Sequence, residues 1–220
     1  MSAKYAGGSE ILKETFKLKD QGKRDLGLRY DLTVPLARYF AMNSNIKMPF
    51  KRYELGQVFR DGPIKPGRYR EFLQCDADVV GSSSMLADAE CATMASEIFS
   101  KLNFKFIIRI NNRKILDAIL EAYNITENKR ETVILSIDKL DKIGVSGVKK
   151  ELSNKGFKNL DRMLNLIFTN DLNDIKKIIK NEDGINEINE TLNFCKLLNA
   201  KNVKFDSSLA RGLAYYTGTI

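Results

Sequence analysis

Residues 60–81, RDGPIKPGRYREFLQCDADVVG, decide how this chain is read. The stretch opens on Arg60, at the end of an expected strand over 50–60. A Pro/Gly turn follows, with Lys65, Arg68 and Arg70 crowded onto it. A second expected strand covers 71–80, and its alternate residues differ sharply. Phe72, Gln74, Asp76 and Asp78 share one face; Leu73, Cys75, Ala77 and Val79 share the other. The second face reads as a core face. The first sets acids and an amide at every second residue, which suits the floor of a pocket with a basic tip. The same pattern also suits an edge hairpin with one solvated face, and both readings stand at this point.

Working outward, 220 residues suffice for one sizeable domain, or one with an insertion. Hydrophobic residues make up 43% of the chain, enough for a core, yet no apolar run approaches the length of a membrane span. The opening MSAKYAGGSE has no signal-peptide core. The three cysteines, Cys75, Cys91 and Cys195, are far apart and odd in number. They argue against a disulfide framework and for a reducing compartment, so a cytoplasmic location is expected. The chain contains no histidine, which excludes a His-dependent triad or a His-ligated metal. It has no CxxC pair either, so no protein-held metal is expected. The net charge of +8 suits a polyanionic partner or simply a lysine-solvated surface.

Short strands are expected at 16–18 and 26–30. Thr33 and Pro35 mark a helix start, with Leu36, Tyr39 and Phe40 as its apolar face and Asn43 as its end. Asp31 and Thr33 then lie at a strand-to-helix junction, although Thr33 can equally be a cap alone. Residues 82–84 open a helix whose Leu86, Cys91, Met94, Ile98 and Leu102 form an expected core stripe. A strand over 104–110 and a helix over 114–123 follow. From 124 to 200 apolar residues recur at helical spacing between polar turns, without strand signals. Strand character returns at 203–206, and 209–218 reads as a Gly-punctuated turn entering a Tyr-Tyr strand. Strands in the outer blocks and helices between them give an α+β class: an antiparallel sheet flanked by helices, with a helical insertion. The domains are accordingly 1–123 with 201–220, and 124–200. Neither GxxxxGK[ST] nor a GxGxxG following a strand occurs.

Three segments carry a family resemblance. FRDGPIKPGRYREFLQCDADVVG resembles motif 2 of the class II aminoacyl-tRNA synthetases in its histidyl-tRNA synthetase form. LARGLAYYTG (209–218) resembles that family's RGLDYYTG signature, and LRYDLTVPLAR (28–38) its first histidine-binding segment. The order is right, the match runs along essentially the whole chain, and it is nearest to the eukaryote-like branch.

The resemblance implies activation of L-histidine with ATP and its Mg2+, then transfer of histidine to tRNA. Arg60 is implied at the α-phosphate and substrate carboxylate, Arg68 at the distal phosphates, and Phe72 against adenine. Arg211 is implied as the arginine that stabilises the adenylation transition state. Asp31, Leu32, Thr33 and Gln74 are implied around the histidine ammonium, and Asp78, Tyr215 and Tyr216 around its imidazole. Physical chemistry agrees with such a set. Arginine forks hold carboxylate and phosphate in fixed geometry, and a carboxylate with a phenol satisfies both imidazole nitrogens. The insertion, with Lys149, Lys150, Lys155, Lys158, Arg162, Lys176 and Lys177, is implied at the tRNA acceptor end. These lysines can equally sit on solvated helix faces.

The chain also departs from the family pattern. Motif 1, the segment of the family's homodimer interface, and motif 3 have no match here. Neither does the anticodon-binding domain, and Ala214 stands where the family has aspartate. Two other readings follow: a synthetase-like regulatory or histidine-sensing subunit, and a nucleic-acid-binding module using the insertion alone.

Overall fold

The computed structural model describes residues 12–211 and 216–220. It forms two compact units, residues 1–83 and 84–220. In the first, β1 (Lys17–Lys19) and β2 (Asp25–Gly27) make a small antiparallel hairpin. Helix α1 (Thr33–Met42) follows. Its first turn holds Pro35, whose missing N–H costs nothing there. The capping bond comes from Asp31, whose Oδ1 accepts from the Val34 N–H at 3.0 Å; the sequence reading had offered Thr33 for that role. Asn43 ends the helix, its side chain donating to the Tyr39 carbonyl at 2.8 Å. Leu36 is buried, and the Phe40 ring meets Phe50 edge-on at 5.3 Å.

Strands β3 (Phe50–Phe59) and β4 (Glu71–Val80) form the long antiparallel hairpin. The register sets Arg52 opposite Asp78, Glu54 opposite Asp76, Gly56 opposite Gln74 and Val58 opposite Phe72. One expectation is reversed here. The apolar face read as core lies open: Tyr53 is 79% exposed, Leu55 60% and Leu73 65%. The covered face is the polar one, where Gly56 and Val58 are buried and Arg52, Glu54, Gln74 and Asp78 are half-buried. The reason is the junction between β2 and α1, which lies on that face. A Cβ on Gly56 would come within 3.1 Å of the Leu32 side chain and 3.0 Å of Arg29. Only a residue without a side chain lets the junction approach so closely.

The second unit begins with α2 (Met85–Lys101), capped by the Ser84 hydroxyl, which accepts from the Leu86 N–H at 3.2 Å. The expected core stripe of this helix is also displaced. Leu86, Met94, Ile98 and Leu102 are exposed, and the buried positions are Ala89 and Ser96. Ser96 exchanges hydrogen bonds with the backbone of Lys201, accepting at 2.7 Å and donating at 3.2 Å. Small residues at 89 and 96 give the helix its close-packing face.

Strand β5 (Ile108–Ile110) pairs parallel with β6 (Val203–Phe205), an arrangement absent from the sequence reading. It is shorter than the expected 104–110 because its partner spans three residues. Helix α3 (Arg113–Ala122) is capped by Asn112, and Ile115, Leu116, Ile119 and Leu120 are fully buried on it. Five helices follow, with no strand among the described residues of 124–200: α4 (Glu127–Ile137), α5 (Leu140–Asn154), α6 (Asp161–Thr169), α7 (Leu172–Ile178) and α8 (Asp183–Leu197). Val133, Leu152, Leu164, Ile167 and Ile175 join the α3 residues in one apolar core. Gly184 permits the closest approach, since a Cβ there would stand 2.8 Å from the Ile115 backbone nitrogen.

Candidate active site

Arg60 directly follows β3, with its guanidinium over two aromatic rings. Its central carbon lies 4.5 Å from the centre of Tyr30 and 4.9 Å from that of Phe72. Its Nε donates to the Tyr30 carbonyl at 3.4 Å and one terminal nitrogen to Gln74 Oε1 at 3.3 Å. The Gln74 amide is itself oriented, because its nitrogen donates to both carboxylate oxygens of Asp76, at 2.9 and 3.1 Å. An ionised carboxylate only accepts, so the amide oxygen must face Arg60.

The turn between the strands closes over this arginine. Lys65 and Arg68 exchange backbone hydrogen bonds around Gly67, whose φ of +74° suits a residue lacking a Cβ. Arg70 pins the loop from the other side, its Nε donating to the Gly62 carbonyl at 3.3 Å. Beneath lies a cavity of about 490 Å³ lined by Glu14, Tyr30, Arg60, Arg68, Tyr69 and Phe72 among others. Three arginines bear on this corner, and among the described residues Arg60 has no carboxylate partner. A concave site with an unneutralised guanidinium and aromatic walls suits an anionic ligand with a flat ring.

Lower on the same face the charge pattern inverts. Arg52 donates from Nε to Asp78 Oδ2 at 2.8 Å, from Nη1 to Glu54, and from Nη2 to the Leu32 carbonyl at 3.0 Å. With Asp76 nearby, this end is acidic on balance. It suits a cationic or hydrogen-bond-donating ligand group.

The structure therefore brings Arg60, Phe72, Gln74, Asp78, Asp31, Leu32, Thr33 and Arg68 into the first unit, on the hairpin, its turn and the junction beside it. Leu32 is wholly buried and Thr33 exposed. Arg211 and Tyr216 belong to the second unit. There Arg211 is exposed, 5.7 Å from the centre of the Tyr216 ring, and lines a cavity of about 180 Å³ with Arg109, Asp138, Asp141 and Ser208. Arg109 bonds Asp141 at 2.6 Å, which holds that carboxyl below its ordinary range. Tyr215 and Ala214 lie outside the described residues.

Sequence reasoning missed Tyr30, Glu14 and Arg52. Glu14 accepts from the Tyr30 hydroxyl at 3.1 Å, and Tyr30 stacks on Arg60. Arg52 stands on the same strand as Arg60, yet nothing in its spacing discloses that it faces Asp78, because the turn separating the strands is too long to fix their register. Four of the lysines in the set named for nucleic acid pair with nearby acids. The pairs are Lys149 with Asp161 and Lys155 with Glu151, each at 2.6 Å, and Lys176 with Glu182 and Lys177 with Asp174, each at 2.7 Å. Among the described residues no group of three or more Cys, Asp or Glu side chains is arranged to hold a metal ion. No described helix is long and apolar enough to cross a membrane.

This fold is similar to that of a crystal structure of histidyl-tRNA synthetase from Nostoc sp. PCC 7120. The TM-score is 0.81 at 32% identity, over 96% of this chain and 53% of that one. It is also similar to an ATP phosphoribosyltransferase regulatory subunit/histidyl-tRNA synthetase from Bacillus halodurans C, with a TM-score of 0.80. At 22% identity over 97% of this chain and 58% of that one, the second likeness speaks for the fold alone. The architecture is that of the class II aminoacyl-tRNA synthetases. The sequence is 49% identical to histidine–tRNA ligase 1 of Bacillus anthracis, across 100% of this chain and 54% of that protein. The histidyl-tRNA synthetase family model matches residues 2–220. The chain belongs to the histidyl-tRNA synthetase family. It spans about half the length of the relatives it matches.

Proposed function

We propose that this chain carries the histidine-activating site of a histidine–tRNA ligase. In the reaction an L-histidine carboxylate oxygen attacks the α-phosphorus of ATP. The bond from that phosphorus to the β-phosphate oxygen breaks, and pyrophosphate leaves with its electron pair. The product is histidyl-adenylate, from which histidine passes to tRNA. The nucleophile is already ionised, so the first step needs no general base. What it needs is two anions held together and charge stabilised on the α-phosphate.

The observation that carries this reading is the cavity of about 490 Å³ around Arg60 and Arg68. Arg60 is assigned to the α-phosphate and the histidine carboxylate. Arg68 is assigned to the outer phosphates and Phe72 to the adenine edge of the cavity. Asp31, Leu32, Thr33 and Gln74 are assigned to the ammonium, and Asp78 with Tyr215 and Tyr216 to the imidazole. Arg211 is assigned to transition-state charge. Mg2+ is assigned as part of the nucleotide, held by its phosphates, where it withdraws charge from them. A subunit that only sensed histidine would have no use for two arginines at a nucleotide-sized cavity. Residues 124–200 are assigned as the insertion that meets the tRNA acceptor end, with the cytoplasmic location of the family. The test is histidine-dependent exchange of pyrophosphate into ATP, with direct calorimetry of ATP and histidine. Exchange or binding that is lost in Arg60→Ala supports the assignment. Failure of both ligands to bind the unaltered chain overturns it.

A further inference from the structure

We infer that Arg52 is a positioning residue that aims the Asp78 carboxylate at the imidazole of histidine, and so sets specificity for that side chain. The inference rests on the assignment of Asp78 to the imidazole in the proposed function. Arg52 and Asp78 are directly opposed across β3 and β4, on the covered face of the hairpin. The Arg52 side chain is only 13% exposed, and each guanidinium nitrogen has its own acceptor on a different element. Nε reaches Asp78 Oδ2 on β4 at 2.8 Å. Nη1 reaches Glu54 on β3. Nη2 reaches the Leu32 carbonyl at 3.0 Å, in the junction that also carries Asp31 and Thr33.

Three consequences follow from this fork. One carboxylate oxygen of Asp78 is held by Arg52, leaving Oδ1 without a donor among the described residues and available to an imidazole N–H. Its direction is set before ligand arrives, which removes rotamer freedom that binding would otherwise have to quench. The bond to Leu32 ties the junction to the same strand pair, so the ammonium end and the imidazole end of the site move together. Glu54 keeps the trio anionic: one guanidinium faces two carboxylates, and the residual negative charge favours a donor over an acceptor.

The three bonds also argue against a merely structural ion pair. A lysine could match the charge of Arg52 but not its planar geometry, which serves three acceptors at once.

The test is calorimetry of L-histidine, β-(2-thienyl)alanine and ATP on four proteins: unaltered, Arg52→Met, Asp78→Asn and the double variant. Thienylalanine matches the ring's shape but offers no N–H. Loss of one hydrogen bond to a charged group corresponds to about tenfold to a hundredfold in affinity. Arg52→Met is expected to weaken histidine by that factor, leave ATP within about twofold, and lower the preference for histidine over thienylalanine. The double variant should be no worse than Asp78→Asn, because the two residues act as one unit. Arg52→Lys, which preserves the charge if Arg52→Met unfolds, should recover only part of the preference. If Asp78→Asn weakens histidine while Arg52→Met and Arg52→Lys leave the preference intact, the role of Arg52 is overturned. Equal losses for histidine and thienylalanine would also overturn it. If Asp78→Asn itself binds histidine normally, the assignment of Asp78 fails, and the inference falls with it.

Discussion

The guanidinium of Arg60 lies 4.9 Å from the centre of the Phe72 ring, stacked on the residue expected to carry adenine. The centre of the Tyr30 ring lies 4.5 Å from it as well. Aromatic contacts of this kind contribute about 0.5–1 kcal/mol where water has access. They orient the arginine without cancelling its charge. Arg52, on the same face, is treated in the opposite way, with two carboxylates against its guanidinium. The hairpin thus carries one arginine matched by carboxylates, at Arg52, and one with no carboxylate partner among the described residues, at Arg60.

That contrast makes Arg60 the first residue to test. Arg60→Ala should lower histidine-dependent pyrophosphate exchange by about 10²–10³, the usual loss for one preorganised donor. ATP and histidine affinity should both fall, since the side chain is assigned to a phosphate and a carboxylate. Arg60→Lys should recover little, because an ammonium neither spans both acceptors nor lies flat over the Tyr30 and Phe72 rings. Exchange within threefold of the unaltered chain in Arg60→Ala would refute the assignment.

Arg211 is expected to behave differently. It is exposed, with the Tyr216 ring 5.7 Å away and no ion pair to it among the described residues. A group that acts on developing charge affects turnover more than ground-state binding. Arg211→Ala should therefore cut exchange turnover by about 10²–10³, while histidine affinity measured by calorimetry changes far less. The reverse result, with binding weakened and turnover kept, would make the signature a specificity element.

In the helical unit Glu151 accepts from Lys139, Lys155 and Ser136, at 2.8, 2.6 and 3.1 Å. The bonds from Lys139 and then Lys155 lower its carboxyl from the ordinary 4.5 to about 2. A depressed folded-state value means the group stabilises the fold fully above pH 4.5 and loses that contribution as pH falls through about 2. Glu151→Gln should cost on the order of 1 kcal/mol at pH 7, an amount salt reduces. The difference should shrink between pH 4.5 and 2 in denaturant titrations of the two proteins. A gap that stays constant over that range would refute the account.

Tyr53, Leu55 and Leu73 leave an apolar surface on the open face of the hairpin. Contiguous exposed apolar surface favours association. Sedimentation velocity over a concentration series should show irregular self-association, reduced in a Leu55→Lys, Leu73→Glu variant that melts at the same temperature. A dimer whose population did not vary with concentration would contradict this.

Local chemistry was legible from the residues alone. Alternation along 71–80 sorted the polar face from the apolar one, and Pro35 and Ser84 marked helix starts because caps and first turns depend on neighbouring residues. The helices between 124 and 200 were legible for the same reason, since Leu152, Leu164, Ile167 and Ile175 repeat at helical spacing into a shared core. The identities at 60, 68, 72, 74 and 78 carried the family resemblance without any coordinates. Period two, however, tells which residues share a face and not which face is covered. Only the docking of the β2–α1 junction, allowed by the missing side chain of Gly56, decided that the polar face lies inward while Leu55 and Leu73 lie open. Likewise the stripe Leu86, Met94, Ile98 and Leu102 is periodic, but Ala89 and Ser96 are small enough to pack closely and became the buried face. The Arg52–Asp78 contact needed the register of two strands joined by a long turn. Such pairing is a property of the assembled hairpin, because no local preference of either strand selects its partner's position.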